Sequence, residues 1–161
     1  MSWALQNLWL IPVLNPDGLA AGTLGNAHGV DLNRNFPYRW RHLGGSGTFN
    51  SGPSRLSEPE SRAAYRLILR VKPRLSIWFH QPLAVVEDSE GSRTLEREFA
   101  HLVGLPAMPL TDYPGSVASW ENHHFHGSTA FVSELPAGSL SSEQARIYAR
   151  AVLTIARASG R

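Results

Sequence analysis

Three apolar runs of strand length, residues 7–14 (NLWLIPVL), 75–80 (LSIWFH) and 128–135 (STAFVSEL), alternate along the chain with segments whose apolar residues recur at helical spacing. That alternation limits the fold more than any other feature. Strands parted by helices layer into an α/β domain, here a three-layer α/β/α arrangement on a mainly parallel or mixed sheet. The first helix opens at Ser57, which fits a capping box with Glu60; Ala64, Leu67, Ile68 and Val71 follow at helical spacing, and Pro73 ends it. A second helix is expected over 93–103 and a third over 142–158, with Ala145, Tyr148, Val152 and Ile155 turned inward. Sheets built this way bind ligands at the carboxyl ends of their strands.

Between the turn signal Asn15-Pro16-Asp17-Gly18 and Ser57 the chain reads as one long loop rich in glycine. Loops of that length inside a compact domain are usually functional. The 161 residues suffice for one domain, 1–161, and a composition 42% hydrophobic and 17% charged marks it as folded rather than disordered. There is no cysteine, so any metal has to be held by His, Asp or Glu. A net charge of +2 with scattered arginines gives no basic stripe for nucleic acid. No apolar run approaches the roughly 20 residues of a membrane span. The start also lacks the basic-then-apolar pattern of a signal peptide, so the expected location is cytoplasmic.

Three places carry chemistry. In the run 29–37 (GVDLNRNFP), Asn33 and Arg34 put an amide beside a guanidinium; an arginine grips a carboxylate through two parallel hydrogen bonds, and the amide can add a third donor. A solvated loop arginine fits the same residues. His80 ends an apolar strand, where a lone imidazole is as readily a structural residue as a metal ligand. Glu134 sits near the end of another, and a carboxylate there is paired, solvated at the strand end, or used.

Taken in order, the Asn15–Gly18 turn, the Gly29 run through Phe36, Ser57-Glu58-Pro59-Glu60, Ser76-Ile77-Trp78-Phe79-His80 and Glu134 resemble the M14 zinc carboxypeptidases over nearly the whole chain. The stretch from Tyr113-Pro114-Gly115-Ser116 to Trp120 is similar to bacterial members that include the murein peptide amidases. The resemblance implies part of the zinc-carboxypeptidase fold and a hydrolase that removes a C-terminal residue from peptides, cell-wall-derived ones among them. It assigns His80 as the third zinc ligand, Glu134 as the general base, Asn33 and Arg34 as the holders of the substrate carboxylate, and Tyr113 as the tyrosine that closes over the substrate. The implied cofactor is Zn2+, and the implied partner is a peptide with a free C-terminal carboxylate.

Two departures stand against full activity. The family's other two zinc ligands come from a His-x-x-Glu motif before the Asn-Pro-Asp-Gly turn, and Met1 to Leu14 contain neither residue. One ligand of three is present, and the resemblance implies a chain lacking the fold's N-terminal strands. Leu24 stands where the family carries an arginine for the oxyanion, with Arg39 and Arg41 the nearest replacements. The alternative is a catalytically inactive module that binds peptide carboxylates through Asn33 and Arg34. His123, His124 and His126, on a segment read as extended, form a weaker candidate metal cluster, and His28, His42 and His101 read as surface or structural residues.

Overall fold

The computed structural model describes residues 7–44, 49–88, 91–110 and 113–160, which fall into two compact units. One is built mainly from Arg74–Thr111 and Gly127–Arg161, the other from Leu10–Pro73 and Asp112–His126.

The first unit holds a four-stranded mixed sheet in the order β1 (Leu75–His80), β4 (Thr129–Pro136), β2 (Leu83–Glu87), β3 (Ala107–Met108). Strands β1 and β4 run parallel, in register from Leu75 opposite Thr129 to His80 opposite Glu134, and β2 lies antiparallel to β4. Helices α3 (Arg93–Val103) and α5 (Ser142–Ala158) match the expected spans. Ser92 caps α3 by accepting from the Leu95 amide, Gly104 ends it in the left-handed conformation, and Ser141 with Gln144 forms a complete capping box on α5. The two helices pack on Phe131, Val86, Leu75 and Ile77 around the buried Phe99, Tyr148, Ala151 and Ile155. Ala145, expected inside, is exposed; it lies in the first turn of α5, and Ala151 takes the inward place instead.

Side-chain alternation along these strands decides where function can sit. Leu75, Ile77 and Phe131 belong to the helix-packed face. Phe79 joins them through its ring contacts with Phe99 and Tyr148. Ser76, Trp78 and His80, with Ala130, Val132 and Glu134, are left on the other face.

The second unit contains the short helix α1 (Pro16–Ala21), a 3-10 turn at Leu32–Arg34, α2 (Pro59–Val71) and α4 (Val117–His124). The long loop expected from 15 to 57 is therefore interrupted twice. Trp120 anchors this unit, with its ring 4.7 Å from Tyr65 and 5.7 Å from Phe36.

Three expectations fail here for local reasons. Residues 7–14 form no strand: Pro12 lacks the N–H that a ladder requires, and Leu8, Leu10 and Val13 are exposed. The capping box at Ser57 does not form, because the Ser57 hydroxyl donates to the Glu58 carboxylate and Glu58 becomes the residue before the helix. His123 and His124 lie in α4 rather than on an extended segment; His123 bonds the Tyr38 hydroxyl at 2.6 Å and His124 stacks on Trp120. Among the described residues no helix is long and apolar enough to cross a membrane.

Candidate active site

The run from Gly25 to Phe36 folds by satisfying its own backbone. Gly25 bridges Asp31, the Asn26 amide donates to the Val30 carbonyl, and the Asn26 side-chain oxygen accepts from the amides of His28 and Val30. Asp31 then caps the 3-10 turn by accepting from the Asn33 amide at 3.0 Å. The turn sends successive side chains in different directions. Asn35 goes inward: its NH2 group reaches the carbonyls of Ser51 and Ser54 and the Ser57 hydroxyl, and its oxygen accepts from the Glu58 amide.

Asn33 and Arg34 form a different environment. The Asn33 oxygen accepts from the Val117 amide at the start of α4, at 3.0 Å, which leaves the NH2 end of the side chain as the donor available to a ligand. Arg34 is buried, 6% exposed, and its Nη1 donates to the Asn33 carbonyl at 2.7 Å. Its Nε is buried without a hydrogen-bond partner, 3.8 Å from the nearer Asp31 oxygen. Burial lowers the guanidinium pKa, and the negative charge of Asp31 opposes that shift. Tyr113 reaches the same spot, its ring centroid 4.2 Å from the guanidinium carbon. The reason is Gly115. Its carbonyl accepts from the Phe36 amide, its own amide donates to the Tyr38 carbonyl, and with φ at 79° it packs so closely on Arg34 that a Cβ would collide with the Arg34 carbonyl. Asn33, Arg34 and Tyr113, far apart in sequence, are thus brought together.

A buried carboxylate supports this loop. Glu58, 2% exposed, accepts from Asn26 at 2.8 Å and from Ser57 at 2.6 Å, and meets Nδ1 of the exposed His28 at 2.7 Å. Burial alone would push its pKa up, but the hydrogen bonds from Ser57, Asn26 and His28 outweigh that and hold it below the ordinary carboxylate value. Sequence alone read His28 as a surface or structural residue and Ser57 as a helix cap; no spacing rule links either to Glu58 as a partner.

The first unit carries the other pair. His80 and Glu134 are register partners at the carboxyl ends of two parallel strands, with Nδ1 of His80 3.7 Å from a Glu134 oxygen and the second oxygen 3.5 Å from the Leu83 amide. Beyond β2, the buried Asp88 accepts from Arg93 at 3.0 Å and Arg97 at 2.8 Å; burial pushes its carboxyl up, and those arginines bring it below its usual range. Glu96, also fully buried, has no hydrogen-bond partner on either oxygen. Burial, followed by the charges of Asp88 and Glu87, pushes it up to about 8.

A catalytic zinc needs three protein ligands and an open position. Among the described residues no group of three or more His, Asp or Glu side chains is placed to hold a metal, so His80 and Glu134 do not by themselves fit a catalytic zinc. Leu24, at the place of the expected arginine, is exposed, with its carbonyl accepting from Asn15. Arg39 lies over Tyr38.

A family model described as zinc carboxypeptidase matches residues 3–86. Murein peptide amidase A of Escherichia coli K12 is 37% identical over 73% of this chain and 54% of its own length. The chain therefore spans about half the length of the curated relatives it matches. The crystal structure of a murein-tripeptide amidase from Escherichia coli O157 aligns with a TM-score of 0.66 and 31% identity over 91% of this chain and 65% of that one. Carboxypeptidase A from Helicoverpa armigera shares the fold, with a TM-score of 0.73 at 21% identity over 92% of this chain and 50% of that one.

Proposed function

The chain belongs to the zinc carboxypeptidase family, peptidase M14, and from that premise we propose that it serves hydrolysis of peptides bearing a free C-terminal carboxylate. In this reading Arg34 takes the carboxylate through parallel hydrogen bonds and Asn33 adds a third from its NH2 group. The observation that supports it is the Asn33 oxygen, committed to the Val117 amide so that the NH2 group remains as the side chain's donor. Fixing the peptide by its end selects the last peptide bond, hence removal of one C-terminal residue. Tyr113 closes over the bound end. Glu134, at the end of β4, takes a proton from the attacking water and returns it to the leaving amine. His80 contributes one metal ligand, and zinc enters as an expectation of the family rather than a group these residues can hold unaided. The relatives named as murein peptide amidases point to cell-wall-derived peptides as the substrate class.

A second reading has its own support. Asn33 and Arg34 stand together, while among the described residues no group of three metal donors does, which favours a module that binds peptide ends without cutting them. One assay separates the two. With zinc supplied, the hydrolytic reading requires that an N-acetylated tripeptide with a free carboxylate release its last residue, that its amide stay intact, and that Glu134→Gln abolish release. Binding without release selects the second reading. Equal cleavage of acid and amide would contradict the carboxylate assignment in both.

A further inference from the structure

Arg34 has a neighbour that the sequence did not point to. The ring of Phe49 lies 4.9 Å from the guanidinium carbon and stacks on Tyr113 with centroids 5.2 Å apart and planes 14° from parallel. The guanidinium carbon and the two ring centres form a nearly equilateral triangle. Arg34 is the inner corner, 6% exposed, while Phe49 and Tyr113 are the outer ones, 39% and 38% exposed. Both rings lie against the cation and are far more exposed than it is. Behind them the Arg34 Nε has no hydrogen-bond partner. A buried donor in that state gains most from an incoming acceptor, and two aromatic faces offset only part of its lost hydration.

The backbone of Phe49 is held in a conformation it would not choose. Its φ is 85°, in the left-handed half of the map that a residue with a Cβ rarely adopts. The next residue supplies the restraint. Asn50 accepts from the Asp31 amide through its carbonyl at 2.8 Å, donates its side chain to the Gly29 carbonyl at 3.1 Å, and accepts from the Gly52 amide at 3.0 Å. The strand-like tie to residues 29–31 fixes the base of Phe49 beside the Arg34 loop, and the ring then falls on the guanidinium. Strain in the backbone and an unmet donor behind the ring both favour its departure once a carboxylate arrives.

We propose that Phe49 is a positioning residue of the carboxylate site, a ring that lies over Arg34 and competes with the peptide carboxylate for it. This rests on the assignment of Arg34 as the carboxylate holder, and it adds a second displaceable ring beside Tyr113. A site whose competent state is only partly populated binds more weakly by that fraction. Removing the cover should therefore strengthen binding.

Two measurements on the full chain test this. The first needs no ligand: modification of Arg34 by phenylglyoxal, followed by mass spectrometry, should accelerate about threefold to fivefold in Phe49→Ala and Phe49→Leu, the factor expected for loss of one cation–π cover. Phe49→Tyr should restore the slow wild-type rate, which a merely structural role for the residue would not require. The second uses calorimetry with an N-acetylated tripeptide acid: Phe49→Ala should bind it about threefold to fivefold more tightly, with affinity for the amide unchanged. Unchanged Arg34 modification in both apolar variants would overturn the proposal, as would weaker binding of the acid by folded Phe49→Ala. If wild type itself binds acid and amide alike, the carboxylate assignment fails, while the modification rates still report whether Phe49 covers Arg34.

Discussion

The surroundings of Arg34 and those of His80 are built by different means. Around Arg34, two stretches far apart in sequence interlock through many contacts: Asp31 caps the turn, Val117 orients Asn33, Gly115 abuts the backbone, and two rings lie against the cation. His80 and Glu134 meet only because two strands distant in sequence pair in one register, and their side chains stand 3.7 Å apart with one long contact from the Leu83 amide. The buried carboxylates repeat the difference. Glu58, below the Arg34 loop, has partners for both oxygens, whereas Glu96, in the unit with the sheet, has none. Many short contacts restrain the Arg34 loop, its unmet Nε apart, whereas strand register places His80 and Glu134 with few side-chain contacts.

The largest effect should come from the tightest contact. Gly115→Ala forces a Cβ into the Arg34 carbonyl at a positive φ, and a loss of about 3 kcal/mol or more in denaturant unfolding is expected, with carboxylate binding lost as well. A cost under about 1 kcal/mol would show that the turn can relax.

Glu96 should produce an effect of similar size that depends on pH. Its folded pKa is raised from 4.5 to about 8, so the folded state holds a proton that the unfolded chain gives up. The stability of that proton is fully present below pH 4.5 and is lost as pH rises through about 8. Between those limits the wild type should lose on the order of 5 kcal/mol relative to Glu96→Gln, whose unfolding curve should be flatter with pH. Parallel curves would contradict the buried, unpaired state. Glu58 has the opposite sign. Its lowered pKa means stability present above its ordinary value of 4.5 and lost as pH falls through the folded value, so acid unfolding of Glu58→Gln should begin from a less stable protein with a shallower pH slope.

Arg34→Ala should weaken binding of a peptide acid by about 30- to 100-fold, and Asn33→Ala by about tenfold, since each removes charge-assisted or oriented donors. The smallest effect tests the other side of the contrast. His80→Ala or Glu134→Gln should change unfolding free energy by less than about 1 kcal/mol, because neither side chain has a close partner to lose. A large loss in either would mean that this corner is as tightly built as the first.

Much of this could be read from the chain. The spans of α3 and α5, and β1 at Leu75–His80, followed from periodicity and end signals. The run Asn33-Arg34-Asn35 was legible because its polar side chains are adjacent in sequence, although the contacts that hold them come from distant segments. Strand β2 was not, since Gln81-Pro82 reads as a stop and the five residues after it become a strand only through pairing with β4. Residues 7–14 show the converse: apolar composition is not enough where Pro12 breaks the ladder. Helix α4 was hidden by its few apolar positions among polar and histidine residues, and Phe49 by its place beside a glycine-rich stretch with no periodic signal. The unmet Nε of Arg34 and the bare carboxyl of Glu96 are properties of tertiary burial, which no single-chain pattern records.

In the proposed reading, Asn33 and Arg34 bind a peptide carboxylate independently of any metal. Calorimetric titration of chelator-treated protein with an N-acetylated tripeptide, as the free acid and as the amide, tests it directly. The acid is expected to bind at least about tenfold more tightly than the amide with chelator present, and Arg34→Ala is expected to erase the difference. Equal affinities, or a preference that emerges only when zinc is added, would contradict it.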